Sequence, residues 1–172
     1  MKNKIYLIAL VLIGGFLCAC NSEEIIHQDK FETSFKSWRS FKKQSKNAYK
    51  YVVKNSSWIG LSWETTITVE DGIVIQRVFK YTEIDPSINI DQDDLEWVEE
   101  GNDIGTHNNG ASPITLDEIY AEAENNWLKD RDDVIIYFET ENNGMISICG
   151  YTNKQCSDDC FIGVTIKSIA KL

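Results

Sequence analysis

Asp71-Gly72 joins two stretches of alternating apolar and polar residues, "LSWETTITVE" (61–70) and "IVIQRVFKYTE" (73–83). Asp-Gly suits the tight hairpin turn in which both central residues need positive φ. With strict alternation on either side, this dipeptide commits the middle of the chain to an antiparallel pair with one buried face. The run "AYKYVVKN" (48–55) alternates too, and "SSWIG" reads as the turn into 61–70, so three strands form a meander.

The periodicity changes on both sides of the meander. Before it, Phe31, Phe35, Trp38 and Phe41 recur at helical spacing within 29–47, an aromatic stripe made to dock on a sheet. After it, Thr115 and Glu118 form a capping box at the start of a helix running to about Leu128, with Leu116, Ile119, Tyr120, Ala123 and Trp127 on its apolar face. Strands are then expected at 133–140, 145–151 and 160–169, with Asn143-Gly144 as a turn. The expected fold is α+β: about six antiparallel strands in helix-βββ-helix-βββ order, both helices on one face.

Residues 84–112 break the pattern with Pro86, an acid cluster from Asp91 to Glu100, and glycines among asparagines. They read as a long inserted loop, a class that is often functional or disordered. With Asp85 as position 1 of a calcium loop, Ser87, Asn89, Asp93 and Glu96 fall at positions 3, 5, 9 and 12. Position 6, where such a loop needs glycine, is Ile90. A solvated loop is the plainer expectation.

The N-terminus sets a location. Lys2 and Lys4 precede thirteen uncharged residues, 5–17, too short to span a membrane and suited to a secretory signal. Leu17-Cys18-Ala19-Cys20 resembles the lipobox of bacterial lipoproteins. The resemblance implies a signal peptide over 1–19, cleavage after Ala19, lipidation of Cys20, and a tether over 20–29 ahead of one domain, 30–172. Asn21 is not the aspartate that retains some lipoproteins in the inner membrane. "NSEE" (21–24) resembles the acidic export signal of Bacteroidetes surface lipoproteins. The expected location is the outer membrane, facing outward or into the periplasm.

The whole chain has 17 Lys and Arg, 27 Asp and Glu, and a net charge of −10. Loss of Lys2 and Lys4 with the signal would leave 15 against 27, or −12. Such acidity argues against a nucleic-acid partner, which needs a basic footprint. The charge is polarised: residues 30–54 carry eight cations and one acid, Glu32. They read as a solvated helix face, with contact to anionic headgroups as the functional alternative.

A wider pattern comprises Trp38; Tyr49 and Tyr51; Val69, Gly72 and Val74; Thr115, Leu116 and Ile119; and Tyr137 with Gly144. It resembles a family of small uncharacterised bacterial lipoproteins over about residues 35–168. That resemblance implies the α+β fold and no activity.

Little else points to chemistry. His27 and His107 stand apart from any Ser or Cys, and neither Gly-x-Ser-x-Gly nor His-Glu-x-x-His occurs. No catalytic residue and no cofactor is expected. Of Cys149, Cys156 and Cys160, an exported chain favours one bridge: Cys149–Cys160 if their strands form a hairpin, or Cys156–Cys160. Trp58, Trp63 and Trp97 lie near turns or in the loop and are candidates for exposure and sugar stacking, with a place in the core or at its rim the plainer reading. The functional expectation is a lipid-anchored envelope protein binding an unknown protein or glycan. An inhibitor or immunity-type lipoprotein capping an enzyme is the alternative, and a hydrolase of envelope or host polymers a third.

Overall fold

A computed structural model describes residues 25–158 and 160–172. The expected signal peptide, Cys20 and the "NSEE" stretch lie outside the described residues. Helix α1 (Gln28–Gln44) leads into strands β1 (Tyr49–Ser57), β2 (Leu61–Glu70) and β3 (Ile73–Ile84). A single turn, α2 (Gln92–Leu95), precedes β4 (Glu96–Glu100) and a 3-10 turn (Gly101–Asp103). Helix α3 (Leu116–Glu122) continues as a π turn (Ala123–Trp127), and β5 (Val134–Glu139), β6 (Ile148–Asn153) and β7 (Ile162–Lys171) close the chain.

All strands join one antiparallel sheet in the order β4-β3-β2-β1-β7-β6-β5. The α+β class and the helices on one face hold. Among the described residues the count is seven strands, not six, and the element order differs. The extra strand is β4, inside the stretch read as a loop, which pairs with β3 from Gln76↔Glu100 to Lys80↔Glu96. Its sequence, "EWVEE", hides the alternation because Glu99 points inward with Trp97 while apolar Val98 points out.

Local chemistry explains the boundaries. Lys46 and Asn47 both take positive φ after α1 and reverse the chain into β1. Asp71 and Gly72 have φ of 50° and 79°, as a primed hairpin turn requires. Thr115 Oγ1 accepts from the Glu118 N–H, and Glu118 answers with a 2.7 Å bond from the Thr115 N–H.

The core is an aromatic cluster in which each polar tip has a partner. Trp38 packs edge-on against Tyr49 and stacks on Tyr120, and its Nε1–H donates to Asp117 at 3.0 Å. The Tyr49 hydroxyl accepts the Leu116 N–H at 3.0 Å, and Tyr51 donates to the Ile114 carbonyl. The Tyr120 hydroxyl meets Ser34 Oγ at 2.8 Å and the Ile146 N–H at 3.2 Å. Each such bond avoids the ~1–3 kcal/mol cost of an unmet buried polar group. Burial pushes the Tyr49 and Tyr51 phenols up, and Tyr120 to about 12. The stripe on α1 docks as expected, with Phe31, Ser34 and Trp38 buried and Phe35 at its margin.

The opposite sheet face carries a charge ladder. Lys54 pairs with Glu64, Glu64 with Lys80, and Lys80 with Glu96, directly across successive strands. Opposite charges so placed add a few tenths of a kcal/mol each, about 0.2–1.

Candidate functional site

Two places concentrate polar chemistry, one made by the 84–112 segment and one by the sheet itself. In the first, the segment is sewn to the sheet by an ion pair. Arg77 and Glu99 are 3% and 1% exposed, on the inward faces of neighbouring β3 and β4. Arg77 Nη2 donates to Glu99 Oε1 at 3.1 Å. Its Nε lies 2.9 Å from Oε2 but is not aimed at it, so that contact is ionic rather than a directed hydrogen bond.

The loop past β4 supplies the remaining partners. The N–H groups of Gly105 and His107 each donate to Glu99 at 2.7 Å, and Thr106 Oγ1 donates at 3.2 Å. Arg77 donates to the carbonyls of His107 and Ala111. The His107 Nδ1 sits 2.8 Å from Glu99 Oε1, and an ionised carboxylate only accepts, so Nδ1 carries the proton. Burial works against the Glu99 charge, but the His107 and Gly105 N–H groups, the His107 ring and Arg77 outweigh it. They hold the carboxyl at about 2, below its ordinary 4.5.

Rings complete the anchor. Trp97 stacks with Phe79 (5.1 Å) and with His107 (4.3 Å), and the Arg77 guanidinium lies over its ring, 4.5 Å from the centre. Gly110 must be glycine: φ is +82°, and an added Cβ would lie 2.8 Å from Thr65 Oγ1 and 2.9 Å from Phe79. The carboxylate–histidine pair resembles half of a catalytic triad. Here the carboxylate is saturated by the loop it fastens, so its work is structural.

The second place is a cleft where the sheet divides. β1 and β7 pair from Tyr49↔Lys171 to Val53↔Ile166. Beyond that point β1 stays with β2, while Ile162–Thr165 stays with β6. A cleft of about 220 Å³ opens between them, lined by Lys54, Asn55, Ser56, Trp63, Phe161 and Thr165. An adjoining cleft shares Trp63 and adds Ser62, Glu64 and Thr82.

The backbone also faces this opening. The Ile166 N–H bonds the Ser147 carbonyl on the β6 side, so strand alternation turns Gly163 and Thr165 towards β1. On β1, the Ser56 N–H is taken by its neighbour's Asn55 Oδ1 at 2.9 Å. Ser57 also lines the cleft, and Trp58, the next residue, is 74% exposed.

The sequence candidates separate accordingly. Trp63 walls the cleft and Trp58 stands beyond its end. Trp97, a stacking candidate for which a place in the core is the plainer reading, is 7% exposed and belongs to the anchor. The calcium candidates are dispersed: Asp85 caps the Ser87 turn, Asn89 is in a loop, Asp93 is in α2, and Glu96 begins β4 beside Lys80. Among the described residues no group of three or more His, Cys, Asp or Glu could hold a metal ion.

Cys156 is bonded to Cys160, with Cα atoms 6.2 Å apart. The hairpin expected to bring Cys149 opposite Cys160 has a different register, Cys149↔Val164. Cys149 is buried and free, and burial pushes its thiol up to about 12.

Sequence reasoning missed Arg77, Glu99, His107 and Gly110. A signal was present: Arg77 shares the inward parity of Phe79, and an inward arginine needs an inward acid. Comparison with known proteins gives no further guide. No protein-family model, no curated protein and no solved structure matches this chain.

Proposed function

We propose that this is a lipid-anchored binding protein of the outer membrane that takes a neutral glycan segment at the cleft between β1 and β7. The observation that carries the reading is the lining of that cleft. Trp63 and Phe161 offer ring faces, Asn55, Ser56 and Thr165 offer neutral donors and acceptors, and Trp58 stands exposed beyond its end. Rings with a few placed hydrogen-bonding groups suit a sugar's apolar face and its hydroxyls. The location rests on the lipobox at Leu17-Cys18-Ala19-Cys20. The likeness to uncharacterised lipoproteins belongs to the same reading and brings no activity with it.

Two experiments test it. Tryptophan fluorescence, titrated with envelope and host polysaccharides, should respond to a glycan in the parent and much less in Trp63→Ala. A parent blind to every glycan class would refute the ligand assignment. Protease shaving of intact and permeabilised cells, followed by a tag at Leu172, decides which side of the outer membrane the domain faces.

One observation favours the inhibitor reading instead. β4 is an edge strand whose outward residues include Glu96 and Glu100, preceded by exposed Asp91, Asp93 and Asp94. Salt-sensitive binding of a basic enzyme along that edge, with inhibition, would replace the glycan assignment.

A further inference from the structure

Helix α1 has two unlike faces. Phe31, Ser34 and Trp38 are buried against the sheet. At 100° per residue, Lys36, Arg39 and Lys43 fall on the opposite side, and all three are exposed. Phe35, 37% exposed, stands on the same flank as Arg39 and Lys42. Among the described residues α1 makes one ion pair, Lys42–Asp117 at 2.6 Å. None of the three is in an ion pair among the described residues; the acids on the same side of the helix, Asp29 and Glu32, lie towards its N-terminus and leave the row from Lys36 to Lys43 basic in a chain whose net charge is −10.

We propose that this face of α1 lies on an anionic phospholipid surface, with Lys36, Arg39 and Lys43 against headgroup phosphates and Phe35 at headgroup depth. The inference rests on the lipid-anchored reading for its setting. α1 begins at Gln28, eight residues after Cys20, so its first turn stays within ~28 Å of an acylated cysteine.

Charge complementarity selects the occupant. The rest of the chain is strongly acidic and is repelled by an anionic leaflet, which leaves this helix face as the favoured approach. The pose also serves the cleft. α1 covers the sheet face on which Val53 and Trp63 lie, whereas Lys54, Phe161 and Thr165 lie on the other, so docking on α1 leaves that outer half of the cleft turned away from the lipid. The acyl chains would supply affinity and the basic row would set orientation.

The test uses residues 25–172 without lipid, since the whole described core lies within them. Sedimentation with vesicles of phosphatidylglycerol in phosphatidylcholine is compared with phosphatidylcholine alone, at low and high salt. Binding is expected only to the anionic vesicles and only at low salt. Each near-surface cation adds roughly fivefold, so K36Q/R39Q/K43Q should weaken binding about a hundredfold. The charge-matched control K50Q/K80Q/K154Q should bind as the parent does, and circular dichroism melts report whether each variant is folded.

Three outcomes overturn the proposal: no binding, equal binding to both vesicle types, or equal weakening by the two triple variants. The anchor is tested separately, by whether Cys20→Ser releases the protein from the membrane fraction of cells. Failure there would refute the anchoring and leave the vesicle result to stand alone.

Discussion

Glu99→Gln would test whether the 101–112 segment is held by the buried ion pair. The substitution keeps the shape and some hydrogen bonding, but leaves the Arg77 guanidinium charged, buried and uncompensated. Breaking one partner of such a pair costs about 3–5 kcal/mol, a large share of the ~5–15 kcal/mol that holds a domain. The pH dependence has a definite sign. The folded carboxyl is held at about 2 against 4.5 when unperturbed. Its contribution, about 3 kcal/mol, is therefore fully present above pH 4.5 and is lost as pH falls towards 2. Urea unfolding at several pH values reads both effects, with the midpoint shifting and the slope of free energy on denaturant preserved. The variant should be less stable near neutrality and should lack that part of the acid loss. Replacing both residues, Arg77→Met with Glu99→Leu, should cost much less than Glu99→Gln alone, because no unpaired charge remains. A Glu99→Gln cost below about 1 kcal/mol, with the parent's acid profile unchanged, would refute the reasoning.

Other expectations follow from single residues. Gly110→Ala should destabilise by about 1–3 kcal/mol in chemical unfolding, because the new Cβ meets Thr65 and Phe79 at positive φ. Thr115→Ala removes the side-chain cap of α3 and should cost about 1 kcal/mol by the same assay. Reducing Cys156–Cys160 should cost about 2 kcal/mol, since the closed loop is short, and mass spectrometry after native alkylation should show Cys149 unmodified until the protein unfolds. Trp58→Ala should change stability by less than about 0.5 kcal/mol, as for an exposed residue, so any loss of ligand binding reads contact rather than folding.

Local rules carried most of the architecture. Asp71-Gly72 makes its hairpin because two adjacent positive φ values suit few other pairs. Thr115 and Glu118 cap α3 within four residues of chain, and the aromatic spacing on α1 finds the sheet because period 3.6 puts those rings on one side. Each of these signals is complete within a window shorter than one element, so the amino-acid order suffices to read it.

The sites were not legible in that way. Glu99 looked like one more acid in an acidic run, and its inward placement depends on Arg77, 22 residues earlier, standing on the neighbouring strand. The loop glycine Gly110 is required by Thr65 and Phe79, which only sheet pairing brings beneath it. The cysteine partner turned on a register, Cys149↔Val164, that a shift of a few residues would have altered. The cleft has no sequence signature, because it forms where β7 leaves β1 and keeps its pairing with β6. The sequence by itself determined two helices, six of the seven strands and their facing sides. The tertiary structure decided which distant charges share a low-dielectric pocket and where the sheet divides, since those depend on pairings between segments that no local window contains.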